Sequence, residues 1–389
     1  MKRVHLAMML IALVLCLFAY RGYITASNTV TLNINGHKIL GAIPARYTHH
    51  EVMIPKELAE QALNVKIGWD RPEPLPEGVY YRDEVAVLMY HHLSEQPMPL
   101  FPWVLSVDRF RDQMELLKQE GFHVITMEQY RQFMLDNGSV PDNAVLLTFD
   151  DGYESFYSLA FPILQEYGYT AVNFIIVSTI DKPDTLSVPK LTWPQMREMK
   201  AAGMGFYNHT YDMHRYGVVD AEGGGRPAAS ALLYIDDENR NELNEEYYQR
   251  VRQDLGTAER RLREELGNTD SAIAFPYGSY NDRLLEITNA LGIHLKFNVT
   301  EGLGSSLDLN TCRFNGGSEL LSAAQTIDQL KRSEPPMVLT VNARRVPLTG
   351  VEPRLEEGTL LIPLGRLSKA LHLNMDYDLW SHTVKLTGR

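Results

Sequence analysis

Residues 145–153 read Val-Leu-Leu-Thr-Phe-Asp-Asp-Gly-Tyr, an apolar run that ends in two adjacent carboxylates, Asp150 and Asp151, and a glycine. The pattern predicts a buried strand that delivers acid groups to its C-terminal tip. Such a tip needs partners, because each unpaired buried carboxylate costs on the order of several kcal/mol of desolvation. Later in the chain His209 and His214 occur in Asn-His-Thr-Tyr-Asp-Met-His, followed by the tight segment Ala274-Phe275-Pro276-Tyr277-Gly278. One aspartate and two neutral imidazoles make a facial metal site with open positions for water and substrate, and the second aspartate stays free to act as a base. The two histidines are five residues apart, which misses the i, i+4 face of a helix and predicts a loop.

The chain has 389 residues, 44% apolar and 22% charged, enough for one large domain with small appendages. From Val85 to Val299, strand-like runs alternate with helical ones. Repeated β-then-α order with buried strands predicts an α/β fold with a parallel sheet, about seven units closing into an irregular barrel. Working residues in such barrels gather at the C-terminal ends of the strands. The predicted division is a segment 1–26, a small α+β domain 27–71, a linker 72–84, the main domain 85–332 and a second small α+β domain 337–389. Both flanks carry an alternating strand, a Pro-started short helix and a second alternating strand, an internal repeat. The glycine-rich stretch from Gly217 to Asn241 interrupts the barrel pattern, either as a cap on the cleft or as a solvated insertion.

Met1-Lys2-Arg3 precedes an apolar run from Val4 to Tyr20, and Ile24-Thr25-Ala26 offers small-residue cleavage spacing. This predicts a signal peptide or an uncleaved membrane anchor, hence a secreted, cell-surface or cell-wall protein touching membrane only through that segment. Cys16 lies within the run, so Cys312 alone remains beyond it and no internal disulfide is expected. A net charge of -12 argues against nucleic acid or an anionic membrane surface as the main partner and suits a neutral polymer.

Thr-Phe-Asp-Asp-Gly, then His-Thr-x-x-x-His, then Phe-Pro-Tyr-Gly, in this order, resemble the NodB-type polysaccharide deacetylases, carbohydrate esterase family 4. Val87-Leu88-Met89-Tyr90-His91-His92 and the wider histidine spacing are similar to the branch that deacetylates poly-N-acetylglucosamine. The resemblance covers roughly residues 80 to 330 and implies a distorted (β/α) barrel, to which the internal repeat adds small α+β flanking domains at both ends. It implies that Asp151, His209 and His214 hold a divalent metal, zinc first, with cobalt, nickel, iron or manganese open. Asp150 becomes the base, the backbone N–H of Tyr277 an oxyanion donor, and Thr210 the pin of the histidine loop. The flanks resemble the copper amine oxidase N-terminal-like stalk domains, without a copper ligand cluster, and polymer or wall attachment competes with a plain spacer or dimerisation role.

Two departures matter. The late Leu-x-x-His of the family is not visible after residue 300, so His91 is taken as the acid, with a structural histidine as its other reading and His92 read as exposed. Ala274 stands where many members carry an arginine paired with the base. Arg313 could reach that carboxylate, although a surface arginine is the favoured reading. Tyr153, Tyr211, Trp193 and Tyr280 are sugar-groove candidates, packing being the commoner role. The expected function is removal of N-acetyl groups from extracellular poly-β-1,6-N-acetylglucosamine. Peptidoglycan, chitin oligomers and a catalytically weak wall-polysaccharide binder are the alternatives.

Overall fold

A computed structural model describes residues 29–38, 43–48, 51–70, 74–184, 186–306, 308, 310–331, 337–346, 348, 351–356, 358–378 and 383–388. The expected signal or anchor segment, 1–26, lies outside them, and no helix among the described residues is long and apolar enough to cross a membrane. The chain divides into two units, residues 74–335 and a terminal unit of 1–73 with 336–389.

The larger unit is built on seven strands: β1 (Val85–Tyr90), β2 (Ala144–Asp150), β3 (Val172–Ile175), β4 (Gly205–Asn208), β5 (Ala272–Ala274), β6 (Leu295–Phe297) and β7 (Phe314–Asn315). They lie in the order β6-β5-β4-β3-β2-β1-β7, all neighbours parallel. A short strand, His123–Val124, pairs in parallel with the start of β2. The ring closes where Phe297 at the end of β6 forms a parallel bridge to Thr311, just before β7. Thr311 N donates to Lys296 O (2.7 Å) and Asn298 N to Thr311 O (2.9 Å). This is the distorted (β/α) barrel, of seven strands, that the alternation implies.

Helices pack outside. Among them are α1 (Val107–Gln119), α2 (Met127–Leu135), α3 (Phe161–Tyr167), α4 (Val177–Asp181), α5 (Trp193–Ala201), α6 (Asn244–Leu266), α7 (Asp282–Ala290) and α8 (Ala323–Asp328). Capping boxes start three of them, Thr126 with Gln129 on α2, Thr192 with Gln195 on α5 and Ser322 with Gln325 on α8, each satisfying two otherwise orphaned N–H groups. Gly168 and Gly267 end α3 and α6 in the left-handed region, where a side chain would be strained.

Strand periodicity sorts the core into two layers. Val85, Val87, Ala144, Leu146, Val172, Phe174, Ala272, Ala274 and Phe297 fill the barrel interior. Leu88, Val145, Leu147, Phe149 and Phe206 face outward onto Phe110, Met114 and Leu117 of α1, Leu164 of α3 and Met199 of α5. Along β2 the inner positions continue from Ala144 and Leu146 to Thr148 and Asp150. The strand's own period therefore turns Asp150 into the barrel and leaves Asp151 at its mouth.

In the terminal unit the two flanks, read from sequence as two small domains, pair with each other strand by strand. Thr29–Ile34 runs parallel to Thr383–Gly388, Glu51–Pro55 antiparallel to Thr359–Pro363, and Ile67–Asp70 antiparallel to Val338–Val341. The repeat itself is present, with Pro55 and Pro363 preceding the helices Lys56–Leu63 and Leu364–Ala370. Periodicity reveals the faces that each half must bury but not which strand edge will cover them. A piece of about 45 residues buries too little surface to stand alone.

Candidate metal centre at the barrel mouth

Asp151 leaves β2 with φ 74°, a left-handed conformation followed by Gly152 at φ 69°. This sharp exit swings the Asp151 carboxylate towards the loop after β4, where His209 directly follows the strand. The Nε2 atoms of His209 and His214 lie 3.4 and 3.3 Å from Asp151 Oδ1. Ligand atoms of the three residues all lie within 4.8 Å of one another.

The protonation logic of this cluster calls for a cation. His209 Nδ1 is 2.8 Å from Ala274 O, which can only accept, so Nδ1 carries a proton and Nε2 is the atom left to face Asp151. Burial, and then His209, hold His214 down at about 4, so its imidazole is neutral at neutral pH. Asp151 Oδ1 is buried with no hydrogen-bond partner of its own. Without a metal a proton takes that place: burial lowers His209, but its pairing with Asp151 and then the charge of Asp150 raise it overall, so the converging acceptors hold a positive centre among them. Asp151, His209 and His214 therefore fit one divalent ion, as the sequence implies.

Asp150 is the neighbouring acid, and its partner is Arg313. The guanidinium is fully buried and grips both carboxylate oxygens, Nη1 to Oδ1 at 2.8 Å and Nη2 to Oδ2 at 2.9 Å, while Nε donates to Asn298 O at 2.8 Å. Burial pushes the Asp150 carboxyl up, but Arg313 and then His209 more than offset it, and it stays below the ordinary carboxylate range. The favoured reading of Arg313 as a surface residue is thus wrong: the position beside β7 points inward, into the barrel that β2 fills from the other side. Ala274, for its part, contributes its carbonyl to His209.

The histidine loop is tied at every turn. Thr210, β-branched and buried, sits at φ 74°, a conformation that costs on the order of 1–3 kcal/mol. It is held by Asn208 Oδ1, which accepts its N–H at 2.7 Å, by Val177 N donating to its carbonyl at 3.1 Å, and by its own Oγ1 accepting Met213 N–H at 3.1 Å. Asp254 of α6 accepts the N–H groups of Tyr211 (2.7 Å) and Asp212 (2.9 Å).

Tyr277 also has left-handed backbone, φ 56°. The turn's own hydrogen bonds run from Gly278 N to Phe275 O and from Ser279 N to Pro276 O, leaving the Tyr277 N–H outside them. Its ring packs on His214, centroids 4.6 Å apart, and Tyr216 packs edge-on to Tyr277 at 4.9 Å. The strand that leads into the glycine-rich insertion, Tyr216–Val218, thereby leans on the Asp/His cluster. His91 follows β1 at the same end of the barrel. Its Nδ1 is buried without a hydrogen-bond partner, and burial lowers its pKa against the pull of Asp150 and Asp151. His92, expected to be exposed, is half-buried and meets Ser155 Oγ through Nδ1 at 2.9 Å.

Of the groove candidates, Trp193 is engaged in packing and donates to Asp181 Oδ1 (3.1 Å), and Tyr280 stacks on Phe275 while staying partly exposed. Tyr153 lies beside Asp151, under the ammonium of Lys190 at 3.5 Å from the ring centroid. Sequence reasoning missed Lys190. Its Nζ donates to Asp151 O at 3.0 Å, and burial lowers it to about 8. The antiparallel bridge between Tyr153 and Lys190 that sets this contact has no local sequence signal.

The family model described as polysaccharide deacetylase matches residues 137–295. The chain is 28% identical over 254 residues to the poly-β-1,6-N-acetyl-D-glucosamine N-deacetylase of Escherichia coli (strain K12), covering 62% of this chain and 38% of that one. It therefore spans well under half of that relative's length. Among solved structures it is similar to a de-N-acetylase from Aggregatibacter actinomycetemcomitans, with 25% identity and TM-score 0.57 over 64% of this chain and 100% of that one. The BpsB deacetylase domain from Bordetella bronchiseptica matches with 28% identity and TM-score 0.53 over 62% of this chain and 97% of that one. Residues 137–295 of this barrel thus carry a match to the polysaccharide deacetylases, and the fold around them is shared with solved de-N-acetylases.

Proposed function

We propose that this protein is a metal-dependent hydrolase that removes acetyl groups from N-acetylglucosamine residues of a polysaccharide outside the cell, with poly-β-1,6-N-acetylglucosamine as the polymer. The observation that carries the reading is the orphaned Asp151 Oδ1 facing two imidazole Nε2 atoms, with a second, ionised aspartate beside it. The choice of polymer is supported by the activity for which the relatives are named and by the Tyr90-His91-His92 opening.

A divalent ion held by Asp151, His209 and His214, zinc first among those the donor set accepts, supplies Lewis-acid polarisation of the acetamide carbonyl and lowers the pKa of a water to about 7. The protein's own groups do the rest. Asp150, kept ionised by Arg313, takes a proton from the attacking water as its oxygen bonds to the acetyl carbon. The Tyr277 N–H donates to the developing oxyanion, a contribution of about 3 kcal/mol for one such donor. When the C–N bond breaks, nitrogen takes a proton and acetate leaves. His91, neutral by its burial, delivers that proton after receiving it from Asp150, so the two act as one relay.

The test is acetate release from poly-β-1,6-N-acetylglucosamine, peptidoglycan and chitin oligomers by wild type and Asp150→Asn. The reading requires release by the wild type, highest on the first polymer, and at least a hundredfold loss in the variant. Equal signals from the two proteins would sink it, and preference for peptidoglycan would correct the substrate alone.

A further inference from the structure

The loop that follows β1 carries exposed apolar side chains beside the site. A strand of His92–Ser94 pairs with Val104–Ser106, and between them the chain folds over itself through Phe101 N to Met98 O and Val104 N to Phe101 O, both 2.9 Å. Phe101 and Trp103 are 43% and 46% exposed and pack edge to face with centroids 5.6 Å apart. Two exposed rings held in a fixed mutual angle by a tied loop form a rigid surface.

The pair is coupled to the metal cluster by short steps. Trp103 O accepts His92 N–H at 3.3 Å, the His92 ring lies 5.1 Å from the Tyr153 ring, and Tyr153 lies beside Asp151. A second exposed pair, Tyr216 and Tyr277, begins on the cluster's other side at His214. In a ring of seven strands, β1 lies three steps from β4 in one direction and three steps from β5 in the other. The loop after β1 and the loops after β4 and β5 therefore face each other across the mouth, with the metal ligands between them.

We propose that Phe101 and Trp103 form a saccharide-stacking subsite across the mouth from Tyr216 and Tyr277, so that the substrate is an internal stretch of polymer held on both sides of the residue being deacetylated. The inference rests on the polysaccharide reading above and adds a binding site to it. Sugar rings present C–H faces that pack on aromatic rings, and a neutral polymer meets no repulsion from a chain of net charge -12. An anionic lipid surface would.

The experiment compares kcat and KM for acetate release from long poly-β-1,6-N-acetylglucosamine and from its dimer, using wild type, Trp103→Ala, Trp103→Phe and Phe101→Ala. The expected result is a five- to tenfold rise in KM on the polymer for both alanine variants, unchanged kcat, an unchanged dimer, and recovery in Trp103→Phe. Equal losses on polymer and dimer would assign the pair to the catalytic pocket, and no loss on either would remove the subsite; both overturn the proposal. Binding to phosphatidylglycerol vesicles that disappears in Trp103→Ala, with polymer kinetics intact, would make the loop a membrane contact and overturn it as well. If the wild type releases no acetate from any polymer, the functional reading fails separately, and retardation of wild type against Trp103→Ala in polymer-containing gels still decides the subsite.

Discussion

Arg313 and Asp150 stand 163 residues apart in sequence and 2.8 Å apart in the fold. Both carboxylates at the tip of β2 were legible from the apolar run that precedes them. The cation that keeps one of them ionised, Arg313, was legible only as the less favoured of two readings, because its direction depends on the register of β7 against β1. Arg313→Met should leave a buried charge unpaired and lower unfolding free energy by about 3–5 kcal/mol, read by urea denaturation. Adding Asp150→Asn to that variant should recover a good part of the loss; no recovery would mean that the arginine matters for packing alone. At the neighbouring position, Asp151 Oδ1 makes its own demand for a cation. Zinc at a hundred times its dissociation constant should stabilise the protein by about 2.7 kcal/mol, and Asp151→Asn should abolish the shift in melting temperature. An equal shift in both proteins would place the ion elsewhere.

At the scale of elements, the site depends on how loops are tied to helices. The five-residue histidine spacing pointed to a loop, and the loop is there, but its anchors lie far along the chain. Asp254 of α6 accepts two of its N–H groups, and burial lifts the Asp254 carboxyl to about 6 despite them. Because the folded value is raised, its stabilising contribution is complete below the ordinary carboxylate range and fades as pH rises through about 6. Its share of the unfolding free energy should fall with rising pH across that window, while the lowered His214 and His91 push the other way, so Asp254→Asn should shift the net slope upward; a slope unchanged in the variant would point to other groups. Lys190 plays the corresponding part on the other side, holding the carbonyl of left-handed Asp151. Lys190→Met should lower kcat about tenfold with KM unchanged, since Asp151 is displaced rather than the substrate. A change confined to KM would instead make Lys190 a substrate contact.

For the whole molecule, the alternation of strand and helix was enough to read a seven-unit barrel, and the internal repeat enough to read two similar flanks. What the repeat concealed is exchange: the parallel pairing of Thr29–Ile34 with Thr383–Gly388 spans nearly the full chain. Periodicity is local, and edge pairing is not. A chain ending at residue 331 should therefore keep the barrel resistant to limited proteolysis while residues 29–70, deprived of their partner strands, are digested. Protection of that segment in the shortened chain would mean that it folds unaided.

The interlaced ends have a consequence for how each copy is made. The strands of residues 29–70 leave the ribosome with only their short neighbours to pair with, and the strands that complete their sheets are translated only after the whole barrel. A product cut short anywhere in between keeps open, sticky edges, while one that reaches residue 388 seals them, so the terminal unit acts as a receipt for the barrel made between its halves.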